Sequence, residues 1–335
     1  MNPALIAAGL LILYVVWGST YLGIAIAIDT IPPMTMAAIR FLVAGSVLVA
    51  LVAIRRPAEL RRPTLAEIRD SVVIGILLAA VGNGFVTLGE QTVPSGIAAL
   101  FIALVPVWLA VLGRLVFRDR LPRLVVAGIL IGFAGVGLLA WPGVGVASGG
   151  LEPVGLALVL VAPIGWSSGS LFAARRALQP RPALLATGIQ MLGGGTILAI
   201  LAIVTGEAGR FDPAAVSAES LAALVYLTTV GSLLGYSTYA WLLSVAPVSL
   251  IATYAYVNPV VAVALGALVL QEPVTPRTLV AGAIIVIAVA LIVTARGRVM
   301  RADRSRGTAN EPRSAAATAT PQSAATSTAA RSTTC

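Results

Sequence analysis

Residues 94–106 read PSGIAALFIALVP, and residues 247–259 read PVSLIATYAYVNP. Each stretch opens and closes on a proline twelve positions apart and is otherwise almost wholly apolar, so the second reads as a copy of the first displaced by 153 residues. Asp119 falls opposite Glu272 at that same displacement. After one inserted residue, Pro122, Arg123 and Gly128 fall opposite Pro276, Arg277 and Gly282. Toward the N-terminus, Trp17-Gly18-Ser19 stands opposite Trp166-Ser167-Ser168. A shared order of this length makes the chain two related halves.

Of the 335 residues, 59% are hydrophobic and 10% charged, and the mean hydropathy is +0.99. That leaves too little polar surface to wrap a soluble core. Apolar runs long enough to cross a bilayer lie near 4–28, 33–54, 71–92, 95–117 and 122–141, then near 154–173, 183–205, 220–243, 247–270 and 276–295. Such runs lack the alternation of barrel strands and predict ten helices. The expected fold is an all-α membrane protein: a first repeat over 1–141, an external linker over 142–153, a second repeat over 154–295, and a disordered cytoplasmic tail over 296–335 rich in Ala, Ser, Thr and Arg. Thr64 and Glu67 have capping-box spacing, which suggests a short cytoplasmic helix within 55–70.

The formal net charge is +9, and the basic residues are all arginine. They collect in alternate connections, with Arg55, Arg56, Arg61, Arg62 and Arg69 in one, Arg114, Arg118, Arg120 and Arg123 in the next, and Arg175, Arg176 and Arg181 in a third. Seven more follow the last span. This is the positive-inside pattern, expected in a plasma membrane with both termini cytoplasmic, rather than a nucleic-acid surface. Five spans per half is an odd number, so the second half enters from the opposite side. Inverted repeats of this kind place a binding site near the midplane between the halves.

Taken in order, Trp17-Gly18-Ser19-Thr20-Tyr21-Leu22, Arg40-Phe41, Pro106, Asp119, Trp166, Pro259, Glu272 and Gly282 resemble the EamA-type permeases of the drug/metabolite transporter superfamily across residues 10–295. The resemblance implies ten helices in two inverted five-helix repeats. It also implies export of small polar metabolites such as amino acids, with spans five and ten as structural staves and acidic residues at Asp119 and Glu272 ending spans four and nine. The chain departs from the pattern at Ala25, where many relatives carry a basic residue.

Polar side chains in hydrocarbon either face a cavity or join helices. Trp17, Thr20, Tyr21 and Ile24 share a helical face, as do Asn83, Thr87 and Glu90, and as do Thr229, Ser232, Tyr236 and Tyr239. Thr187, Gln190 and Gly194 follow the same spacing, as do Tyr254 and Asn258, and Trp166 matches Trp17. These faces predict an aromatic-walled substrate cavity. Arg40 lies inside the second span, where an unpaired arginine costs a few kcal/mol. Glu90 at comparable depth is its expected partner, as an ion pair or gate. Pro106 and Pro259 are expected helix kinks. Gly128, Gly132 and Gly135 predict a close internal helix seam.

Other chemistry finds little footing. There is no His, and the single Cys335 is the last residue, so no metal site or cofactor is expected. Gly165-Trp166-Ser167-Ser168-Gly169 satisfies the G-x-S-x-G pattern but has no histidine base. No Walker-type phosphate loop appears, which points to a secondary transporter rather than an ATPase. The alternatives are a multidrug-type exporter of lipophilic cations and a passive channel. The expected partners are a small-molecule substrate and the lipid bilayer, with no nucleic acid; a homodimer stays open.

Overall fold

The computed structural model describes residues 3–55, 62–119, 121–140, 152–246, 248–251 and 253–309. The expected linker, at 142–151, the arginine-bearing segment 56–61 and the tail from 310 onward lie outside them. All regular structure among the described residues is helical. In hydrocarbon the backbone has no water to bond, so each apolar run satisfies its own N–H and C=O groups as a helix.

The first half contains α1 (Pro3–Ala27), α2 (Pro33–Arg55), α3 (Leu65–Gly89), α4 (Ser95–Phe117) and α5 (Arg123–Ala140). The second contains α6 (Pro153–Arg175), α7 (Ala183–Val204), α8 (Ala218–Tyr226, Leu227–Leu234 and Gly235–Val245 in succession), α9 (Tyr254–Val269) and α10 (Pro276–Ala309). Among the described residues nine helices are long and apolar enough to cross a membrane, and α9 is a shorter apolar tenth.

Local chemistry sets the ends. Pro33, Pro153 and Pro276 open α2, α6 and α10, where a missing N–H is harmless. The Thr64–Glu67 capping box forms, but it starts α3 itself rather than a separate helix. The polar first turns of α3 are satisfied in place: Asp70 accepts from the Leu178 N–H at 2.9 Å and from Arg69. Residues 297–309, expected as disordered tail, are helical as part of α10. Alanine and arginine favour helix without needing burial, which a composition argument about core formation overlooks.

The repeat shows in the backbone. α4 ends at Arg118 (φ 58°) and α9 ends before Gln271 (φ 55°), both in the left-handed region that costs a side chain about 1–2 kcal/mol. In each case the next N–H, of Asp119 or Glu272, bonds back to a glycine carbonyl, Gly113 or Gly266, at 3.1 Å. The middle of α3 (Ile76–Gly84) and of α8 (Leu227–Leu234) is wound as π-helix, a rare form that collects at functional sites. α4 breaks at Ala103 and Leu104 and resumes at Val105, with Pro106 in its new first turn. α9 keeps Pro259 inside a continuous helix.

Small residues let helices meet. α2 crosses α7 where a Cβ on Gly45 would fall 2.8 Å from the Gly188 carbonyl, and one on Gly188 3.1 Å from that of Gly45. The α5 seam is internal: Gly128 and Gly135 press on Ile292 and Ile285 of α10. Those isoleucines join Phe101, Leu104, Val107 and Val125 in the largest buried cluster. By contact density the chain forms a unit Met1–Arg296 and a second, Gly297–Cys335, of which only the helical residues through Ala309 are described.

Candidate functional site

A cavity of about 90 Å³ lies among α1, α2, α3, α4, α6, α8 and α9. Roughly 10–15 Å³ suffices for one water, so this is room for a solute. Of the residues expected there, Trp17, Thr20, Tyr21, Asn83, Trp166, Tyr236, Tyr254 and Asn258 line it, together with Arg40 and Pro259. The rest of the wall is small or aliphatic, including Gly82, Val86, Ala99, Ile102, Ala103, Val105 and Ala255.

The aromatic wall is built around Trp17. Its ring lies 5.5 Å from Tyr236, 5.3 Å from Tyr239 and 5.0 Å from Tyr254, in edge or tilted contacts favoured by ring quadrupoles. The two tryptophans are placed by glycines of the opposite half. A Cβ at Gly235 of α8 would come within 2.6 Å of Trp17 Nε1, and one at Gly82 of α3 within 3.1 Å of Trp166 Cε3. Both glycines sit in or just after the π-wound segments, so the unusual winding is where the halves exchange contacts.

Several polar residues bind backbone as well as facing the space. Thr20 Oγ1 donates to the Trp17 carbonyl at 2.7 Å, and Asn83 Nδ2 to that of Leu78 at 3.2 Å. With its amide oriented by its partners, Asn258 donates to the carbonyls of Tyr14 and Tyr254 at 3.2 and 3.1 Å, joining α1 to α9. Ser167, fully buried outside the lining, donates to the Val105 carbonyl beside the α4 break at 3.1 Å.

Five expected residues fall elsewhere. Thr87 is buried and bonds the Asn83 carbonyl at 2.9 Å. Tyr239 stands behind Trp17, outside the lining. Ser232 is fully buried and holds Arg40. Gln190 bonds Gln179 at 3.1 Å, because α7 packs against the outer side of α2 and α3 and contributes nothing to the lining. Thr229, grouped with Ser232 and Tyr236 at ordinary helical spacing, is exposed. The π winding of α8 shifts the register that the spacing assumed.

Arg40 is buried at 3% exposure. Its Nε donates to Ser232 Oγ at 3.0 Å, and its guanidinium lies 5.0 Å from the Phe41 ring centre. The expected Arg40–Glu90 ion pair is not made: among the described residues no carboxylate comes within 4.0 Å of this guanidinium. Glu90 is 8% exposed, and neither of its carboxylate oxygens has a hydrogen-bond partner. The two groups interact electrostatically at longer range, and Glu272 lies within electrostatic reach of Glu90. Matched depth in sequence fixes height along the bundle but not azimuth around it, which is why it misjudged the contact.

The repeat-matched acids sit at opposite ends. Glu272 accepts from the N–H groups of Ser95 and Gly96 at 2.7 and 3.0 Å, tying the end of α9 to the start of α4. Asp119 takes Arg175 of α6 at two points, 2.9 and 2.5 Å. Glu207, which no spacing singled out, accepts from the Thr35 N–H at the start of α2 at 2.9 Å. Among the described residues no three His, Cys, Asp or Glu side chains gather to hold a metal.

Comparisons with known proteins agree with this architecture. The EamA-like transporter family matches the chain twice, over residues 4–141 and 153–294. The chain is 38% identical over 284 residues to the uncharacterized inner membrane transporter YedA of Escherichia coli (strain K12), covering 84% of this chain and 88% of that one. It is 28% identical over 317 residues to a probable amino-acid metabolite efflux pump of Salmonella typhimurium, covering 89% and 97% respectively. One crystal structure shares its fold at a TM-score of 0.59 and 22% identity, covering 89% of this chain and 99% of the other. With both halves matched and a relative of this similarity along most of its length, the chain belongs to the EamA-like transporter family of membrane proteins.

Proposed function

We propose that this transporter exports small zwitterionic or neutral metabolites, amino acids among them, by alternating access across a bacterial inner membrane with both termini cytoplasmic. The observation that carries the reading is the central cavity, walled by the two repeat-matched tryptophans and by Tyr21, Tyr236 and Tyr254, with Arg40 as the one charged residue among those lining it. Aromatic faces suit an apolar moiety, and Asn83 and Asn258 suit its polar ends. Among the described residues no carboxylate lines the space, so lipophilic cations lack the counter-charge they need. The Salmonella relative's name adds support for amino-acid metabolites, and any proton coupling centres on Glu90.

Metabolite profiling tests this. Cells expressing the chain should release one or a few small polar metabolites faster than cells expressing a Trp17→Ala, Trp166→Ala variant. Equal medium composition in the two cultures, or release confined to lipophilic cations, would overturn it.

A further inference from the structure

Deepening that reading and resting on it, we infer that Arg40 is a carboxylate receptor, so that the solutes carried are small carboxylates whose apolar part lies against the tryptophan and tyrosine walls. A guanidinium presents five N–H donors in a planar fork that matches a carboxylate at two points. Ser232 engages Nε and the Phe41 ring lies close by, which together fix the plane of that fork. Along its terminal edge the neighbouring α8 position is Gly231, where even a Cβ would stand 3.5 Å from Nη2. A residue with no side chain at this point leaves Nη2 uncovered on that side, and Arg40 is among the residues that line the cavity.

Among the described residues no carboxylate pairs with the fork. Glu272 is engaged with the Ser95 and Gly96 N–H groups, Glu207 with that of Thr35, and Asp119 with Arg175. Glu90 interacts with Arg40 only at a distance. A phosphate dianion would need a second cation, and the lining offers none. The contact would also supply transport specificity: a buried polar group left unpaired rejects the analogue lacking its partner strongly.

Trp17 and Trp166 line the space, so intrinsic fluorescence reports occupancy. Purified protein would be titrated with leucine, with 4-methylpentanoate, which lacks the amine, and with leucinamide, which lacks the carboxylate. The two acids should bind, with leucinamide weaker by at least about tenfold. Arg40→Gln should abolish the difference, and Arg40→Lys, which keeps the charge but not the fork, should fall between. Equal binding of leucine and leucinamide by the unmodified protein, which needs no variant to fold, would overturn the inference. So would an acid preference that survives Arg40→Gln. Proteoliposomes separate the two levels of the argument. If leucinamide, assayed at about pH 9 where its amine is largely neutral, is exchanged and the acids are not, the exporter reading stands and the Arg40 inference falls. If none of the three crosses faster than in protein-free liposomes but another small neutral metabolite does, the Arg40 inference falls alone; if no member of a panel of small zwitterionic and neutral metabolites crosses, both fall.

Discussion

Asp119 and Glu272 leave their helices through the same left-handed cap, at the same place in the two repeats, yet Asp119 clasps an arginine side chain while Glu272 takes two backbone N–H groups. The difference has energetic consequences. The Asp119–Arg175 pair is part-exposed, 27% and 39%, so solvent screens it to about 0–1 kcal/mol. Glu272 sets a carboxylate on a helix start, where dipole and charge-assisted bonds together contribute about 1–2 kcal/mol. Glu272→Ala should therefore lower the midpoint of thermal unfolding in detergent clearly more than Asp119→Ala. Equal shifts would show that the cap adds nothing beyond a surface pair.

The α2–α7 crossing sets a packing prediction. Gly45→Leu has no room against the Gly188 carbonyl, and overpacking of this kind costs about 1–3 kcal/mol or more. Reduced folded yield on size exclusion is the expected outcome. Gly137 has nothing within 4 Å of a Cβ built there, and Gly137→Leu should fold normally. A Gly45→Leu protein as stable as the parent would contradict the observed crossing.

The two tryptophans should not be interchangeable with alanine. Trp17→Ala removes the centre of a four-ring cluster and Trp166→Ala its partner across the cavity. Both rings are part-buried and line the cavity, so their loss removes aromatic contact with the solute and exchange by either variant should fall at least about tenfold. Trp166→Phe, which keeps a ring against Gly82, should retain most of it. Unchanged exchange in both alanine variants would mean that the aromatic wall does not meet the solute.

Orientation is testable without the transport assay. In a Cys335→Ser background, Ser148→Cys should react with a membrane-impermeant maleimide added outside intact cells. Labelling only after lysis would invert the proposed topology.

Much of the fold was legible because proline, glycine and charge mark the ends of apolar runs, and because Pro94 and Pro106 recur as Pro247 and Pro259. The aromatic residues of the cavity were legible for the same reason, since Trp17 and Trp166 hold matched positions. What escaped was winding and azimuth. Nothing in Ile76–Gly84 or Leu227–Leu234 announces π-helix except local glycines, so Thr229 was assigned to the wrong face. Gln190 has the right spacing on a helix whose neighbours turn it away. Arg175 was counted for topology alone, and its clasp on Asp119 depends on a contact between halves that no local pattern encodes.

The most direct test of the central claim is counterflow. Protein reconstituted into liposomes loaded with unlabelled leucine should take up external radiolabelled leucine transiently above equilibrium with no pH gradient imposed, and a Trp17→Ala, Trp166→Ala double variant should not. Absence of counterflow for leucine and for a panel of other small zwitterionic and neutral metabolites, with tetraphenylphosphonium moved instead, would contradict the account.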